Sequence, residues 1–292
     1  SIKQYRVLYP FEPITPIGKS NGRFIKAVPN SDGSCATQVQ IFASTLKHLN
    51  HLERLFSDFS KQPLSKYICL SSPRYISSKS LTCDTNEATP ITCNESHWAA
   101  IADTVAERHI GYMTTKGGAN VHFGIMYFDR NDSVDVLSHE LSHLLGFIDE
   151  YPLSENHLTC QGNSGIVKSH NVVVLSNFYE GTRADVRKRV LKELPWGTDI
   201  KTTTPILQPQ ANDANKRNNQ HWKLGTPITF NQEIGLFQTD TCNRSAAALA
   251  NNFSGFKPVS NSTQLNFFAE RFPQYYLDRI DASPQEFLMP SF

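Results

Sequence analysis

His139 and His143 stand four residues apart with Glu140 beside the first, in the run Ser138-His-Glu-Leu-Ser-His-Leu-Leu-Gly-Phe-Ile-Asp-Glu-Tyr151. On a helix the two histidines are rotated by about 400° and share one face, roughly 6 Å apart. Two imidazoles at that spacing can ligate one tetrahedral zinc ion at roughly 2.1 Å. Glu140, turned about 100° from His139, is better placed beside the metal than on it. There its carboxylate can take a proton from an activated water and pass it to a leaving amine. The HExxH spacing alone arises by chance in about one or two chains per hundred of this length, so the residues that follow carry the discrimination.

A zinc hydrolase site needs a third protein ligand and an open position. Gly146 lies just past the last helical turn, where a glycine can adopt the left-handed conformation and reverse the chain. That reversal lets the residue three further on return to the metal, and Asp149 occupies the place. A carboxylate is a legitimate third ligand. Glu150 is adjacent but points elsewhere in a tight turn, where it can cap, pair with a cation or support the site from behind. Tyr151 has two readings, a stabiliser of charge in the transition state or a packing residue. Asp132 or Ser133 can cap the start of the motif helix, with Asp135 near its positive end.

The run HELSHLLGFIDEY resembles the metzincin signature HExxHxxGxxH/D in its aspartate variant. It is similar to the IgA-peptidase-like family, whose run typically ends in Asp-Glu-Tyr, and more distantly to snapalysin-type peptidases. Looser similarity to the IgA-peptidase-like group continues through NVVVL, Pro195-Trp196, Ile234–Gln238 and the stretch from Gly255. The resemblance implies a zinc endopeptidase whose cleft separates an N-terminal subdomain from a smaller, irregular C-terminal one. Metzincins also place a methionine in a turn beneath the zinc. Met289 is the one methionine after the motif; if the turn instead falls at Ser262–Leu265, Leu265 replaces the methionine. Both readings stay open at the level of sequence.

The elements needed to hold such a site are legible as patterns. The apolar residues Val39, Phe42, Leu46, Leu49, Leu52, Phe56 and Phe59 recur at three and four, which reads as one helix over 36–59. His48 and His51 on it read as solvated or partly packed. A second amphipathic helix is expected over 97–110, and strands over 4–9, 66–71, 121–128 and 171–175. In zincins the strand before the motif helix borders the cleft, and substrate adds to it in extended form. His122, Phe123, Gly124 and Ile125 are the candidates for that edge, with an ordinary core strand as the alternative. A charged helix is expected over 183–194, and 202–225 reads as a long surface loop. The expected fold is α+β, zincin- or metzincin-like: a twisted mixed sheet with an active-site helix in 1–150, and a smaller irregular subdomain in 151–292 closing one catalytic domain.

With 292 residues, 39% of them hydrophobic, the chain can bury a substantial core. A net charge of +1 without a basic run argues against nucleic acid or an anionic membrane as partner. No apolar run approaches the roughly 20 residues of a membrane span. The N-terminal SIKQYRVLYP lacks a signal-peptide apolar stretch, as a processed secreted chain would. Cys35, Cys69, Cys83, Cys93, Cys160 and Cys242 form an even set without a CxxC pair, which reads as three disulfides in a secreted, extracellular or periplasmic protein. Cys83–Cys93 is the expected short loop and Cys160–Cys242 a long one. The five N-x-S/T sequons add little. With what the resemblance implies, the expected protein is a monomeric secreted endopeptidase with one catalytic zinc ion, acting on protein or peptide substrates, glycoproteins among them. The alternatives are a binding or adhesion module with a structural or vestigial zinc, and a zinc hydrolase of non-peptide amides.

Overall fold

The computed structural model describes residues 37–86, 89–102, 104–122, 124–161, 169–210 and 220–287. The strand expected over 4–9, Cys35, Phe123 and Met289 lie outside them. The chain divides into two compact units: the residues up to Gly146 together with those from Phe272 onwards, and Phe147–Arg271.

In the first unit β1 (Thr37–Ala43), β2 (Ile68–Leu70) and β3 (Arg74–Tyr75) belong to one sheet with β6 (His109–Thr114), β7 (Asn120–His122) and β8 (Ile125–Asp129), in the order β2-β1-β6-β8-β7 with β3 also on β1. The β1–β6 and β6–β8 pairings are parallel and the β7–β8 pairing antiparallel, so the sheet is mixed, as expected of an α+β fold. β4 (Cys83–Asp84) and β5 (Thr92–Cys93) form a separate ladder in which the bonded Cys83 and Cys93 oppose each other.

The sheet is covered on both faces, which explains its unbroken apolar strands. Phe42, Ile110, Tyr112, Ile125 and Tyr127 alternate onto one face, where they pack with Trp98, Ile101 and Val105. Trp98 and Ile101 come from α2 (Glu95–Ala102), and the Trp98 indole N–H donates to the Tyr127 hydroxyl at 2.9 Å. Residues of the other parity, Val39, Ile41, Met113, Met126 and Phe128, are equally buried. α1 (Leu46–Phe59) packs on β1, α3 (Val134–His143) on β8, and the two helices touch each other.

Two expected helices are corrected. Residues 36–59 are not one helix: 37–43 form β1, and α1 begins only after Thr45. Val39 and Phe42 mimic a helical step, but TQVQIFA sits inside the sheet, where pairing on both sides outweighs propensity. Thr45 is extended (φ −139°) and its hydroxyl accepts the His48 N–H, capping α1 and fixing the break. Likewise 97–110 is α2 followed by the central strand β6, held between β1 and β8. The strand expected over 121–128 folds back on itself at Gly124 (φ 77°) into β7 and β8.

The second unit carries two three-stranded sheets. One joins β10 (Phe178–Glu180), β12 (His221–Leu224) and β11 (Leu207–Pro209), so the expected loop over 202–225 contains two strands. The other joins β13 (Phe237–Thr239), β14 (Phe253–Lys257) and β9 (Val173–Ser176), all antiparallel. α4 (Arg183–Glu193) and the short α5 (Ala246–Ala250) accompany them, and Cys160–Cys242 pins the cluster of Leu153, Val174 and Ala248. Cys69 is also disulfide-bonded. α6 (Gln274–Ala282) belongs to the first unit, where Leu277 O accepts from the Tyr67 hydroxyl.

Candidate metal centre

Ser133, not Asp132, caps the motif helix: its Oγ accepts the Val136 N–H at 3.3 Å. Asp135 lies in the first turn, where it complements the helix dipole, and accepts a hydrogen bond from Gln62 at 3.0 Å. Asp132 instead accepts the Asp129 N–H at 2.7 Å. Leu137 and Leu141 anchor α3 in the core, which turns His139 and Glu140 inward as buried residues.

The two imidazoles converge. Their Nε2 atoms are 3.2 Å apart, with the ring planes perpendicular. Two donors on a tetrahedral ion at about 2.1 Å lie about 3.4 Å apart, so this pair matches one shared cation. The histidines sit in the last turns of α3, where the negative end of the helix dipole favours a cation. Ser142 Oγ donates to His139 O at 2.6 Å, tightening that turn.

Gly146 has φ 85°, the left-handed conformation that the reversal requires. Its N–H donates to His143 O, closing the helix, and the chain turns to bring Asp149 into reach. Ligand atoms of His139, His143 and Asp149 all lie within 4.8 Å of one another. This group could hold a metal ion, and two imidazole nitrogens with one carboxylate oxygen are a donor set suited to zinc. Glu140 stands apart from it: its Oε2 is 3.9 Å from His143 Nε2, beyond hydrogen-bond distance and almost wholly buried.

Glu150 is the residue whose surroundings sequence left most open. It is fully buried, and Oε2 accepts from Lys257 Nζ at 2.7 Å and from the Thr263 hydroxyl at 2.8 Å. Oε1 accepts from Asn171 Nδ2 at 3.0 Å. Lys257, itself 4% exposed, donates also to Asn261 O and Asn266 Oδ1. Asn171 brackets Ile148, accepting its N–H and donating to its carbonyl. The Thr241 hydroxyl donates to Asp149 O, and Thr239 and Asn266 both donate to Glu150 O. Asp149 is thereby presented by a segment whose backbone is tied at every residue from 148 to 150.

The turn at 262–265 does lie against this segment: Leu265 O accepts the Glu150 N–H at 2.9 Å, and the Leu265 side chain is fully buried. Tyr151 is half-buried against the cluster around the Cys160–Cys242 bond. The described residues expected along one edge are divided between two strands and a turn. β7 (Asn120–His122) is the outermost strand, Gly124 makes the turn, and Ile125 is buried inside β8 between β6 and β7. His122 alone of the described candidates sits on that edge, and it is exposed.

Asn171, Lys257 and Thr263 meet Glu150 from distant parts of the chain and share no local motif with it. Lysine within the apolar–polar alternation of FSGFK was the one available signal, a charge at a strand position that neighbours would bury. No family profile, curated protein or solved structure matches the chain.

Proposed function

We propose that the chain is a metzincin-like zinc endopeptidase with His139, His143 and Asp149 as metal ligands and Glu140 as general base. The observation that carries this is the convergence of the three donors with a second carboxylate, the buried Glu140, beside them and outside the donor set. Zinc there would supply Lewis acidity, polarising a peptide carbonyl and lowering the pKa of water. Glu140 takes one proton from the attacking water as its oxygen bonds to the carbonyl carbon. The same carboxyl group returns that proton to the amide nitrogen as the C–N bond breaks, leaving an acid and an amine. A purely structural zinc has no use for a buried base in that position, so the hydrolase reading is preferred to a binding module.

Protein or peptide substrates, glycoproteins included, would bind extended along β7, whose outer edge offers backbone hydrogen-bonding groups. Bonded cysteines, and no helix among the described residues long and apolar enough to cross a membrane, agree with a secreted setting.

The test is metal analysis together with cleavage of a broad peptide library. Glu140→Ala should retain about one zinc per chain while losing at least about 100-fold in kcat/KM. Asp149→Ala should weaken zinc binding on the order of 10- to 100-fold or more. Full peptidase activity in Glu140→Ala would sink the mechanism, and unchanged zinc affinity in Asp149→Ala would remove the third ligand.

A further inference from the structure

A second cluster of functional side chains lies on α1, at residues the metal centre does not use. Lys47, His48, His51 and Arg54 line a pocket of about 310 Å³ together with Arg130 and Asn131 from the turn that follows β8. Lys47, His51 and Arg54 are spaced i, i+4, i+7 and so form one stripe along the helix. His48 reaches the pocket from the neighbouring row and is nearly buried.

The charges are arranged against ordinary helix electrostatics. Lys47 and His48 stand in the first turn of α1, at its positive end, and that turn carries no acidic residue. Burial first, then the positive fields of Arg130, His51 and Lys47, holds the His48 imidazole below its ordinary pKa. The Nε2 of His51 is buried and makes no hydrogen bond to the described residues. The nearby carboxylates are committed to the turn itself: Asp129 Oδ1 accepts the Asn131 N–H and Asp132 accepts the Asp129 N–H. Among the described residues none forms an ion pair with Lys47, Arg54 or Arg130. Converging cations without a counter-charge are a cost that a bound anion removes.

We infer that this pocket is a binding site for a tetrahedral oxyanion, the phosphate or sulfate group of a small ligand. Arg54 and Arg130 offer planar forks that match such oxygens, Lys47 a point charge, and the two imidazoles donate when protonated. The inference is independent of the proposed peptidase activity. For a sulfate ligand, whose charge does not change in this range, binding strengthens as pH falls through the histidine range, because His48 must gain a proton against Arg130, His51 and Lys47, and the anion raises its pKa back.

The test is calorimetric titration of the full chain at low ionic strength with inorganic phosphate, inorganic sulfate, a sugar phosphate and a sulfated disaccharide. Saturable one-to-one binding is expected; for the sulfate probes, whose charge is constant over this range, it should be several-fold tighter near about pH 6 than near about pH 8. The Arg54→Ala/Arg130→Ala variant should weaken it by at least about tenfold, while Lys192→Ala, an exposed cation on α4, should not. By NMR the His48 titration should move upward when phosphate is added. Equal affinity for inorganic ion and ester would assign a free anion; tighter binding of an ester would assign that ester; both uphold the site. Absence of saturable binding, or an affinity unchanged in the folded double variant, would overturn it.

Discussion

At the scale of single residues, Lys257 and Glu150 do for Asp149 what no ligand could do for itself. A carboxylate ligand on a turn must be held at one distance from two helical imidazoles, and the backbone from 148 to 150 is fixed by side chains of Asn171, Thr239, Thr241 and Asn266. The Glu150–Lys257 pair organises that set. Both ends are buried, so removing one leaves an uncompensated charge, at a cost of about 3–5 kcal/mol. Lys257→Met should therefore lower stability by that amount in chemical denaturation and loosen zinc binding as well. The double variant Glu150→Gln/Lys257→Met should recover much of the stability, since it buries no charge. If Lys257→Met unfolds at the same denaturant concentration as the parent, the pair is not organising the segment.

Among the elements, α3 and the turn behind it bring the three candidate donors together. The helix puts His139 and His143 on one face by its period alone, but the third donor depends on where the helix stops. Gly146 sets that point, because its φ of 85° is a conformation a side chain disfavours. Gly146→Ala should cost about 1–2 kcal/mol and displace Asp149 relative to the histidines. Zinc affinity measured by competition with a chelator should drop more than stability does. Undiminished affinity would mean that the turn tolerates a side chain and that Asp149 is positioned from elsewhere. The β7–β8 hairpin shows the same logic at Gly124, where a positive φ turns what reads as one strand into an edge and its neighbour.

For the molecule as a whole, both compact units contain cysteine bonds, Cys83–Cys93 and that of Cys69 in the first and Cys160–Cys242 in the second. Cys160–Cys242 closes a long loop, with its cysteines 82 residues apart, in a unit built of small three-stranded sheets. Chain-entropy reasoning gives such a cross-link about 2–5 kcal/mol. The paired change Cys160→Ser/Cys242→Ser should thus lower the melting temperature of the unit Phe147–Arg271 by roughly 5–15 °C, read by calorimetry. The Cys83→Ser/Cys93→Ser pair, which closes a loop with a separation of 10, should cost less. Equal losses from the two would point to local packing rather than chain constraint.

The run from Ser138 to Tyr151 determined the three converging side chains and the turn, because helical period and a glycine stop are local properties carried by adjacent residues. The short Cys83–Cys93 loop, the capping region of α3 and the α+β class were legible for similar reasons of spacing and alternation. What sequence could not decide was anything set by non-local pairing. TQVQIFA shares its apolar spacing with a helix, and only the strands on either side of it make it β1. The burial of Glu150 needed Lys257 and Thr263, more than 100 residues downstream, to become affordable. His48 and His51 read as solvated or partly packed, and only the tertiary structure sets Arg130 beside them. Local periodicity specifies which side chains can share a surface; only tertiary structure specifies what the surface meets, because desolvation and charge are fixed by neighbours remote in the chain.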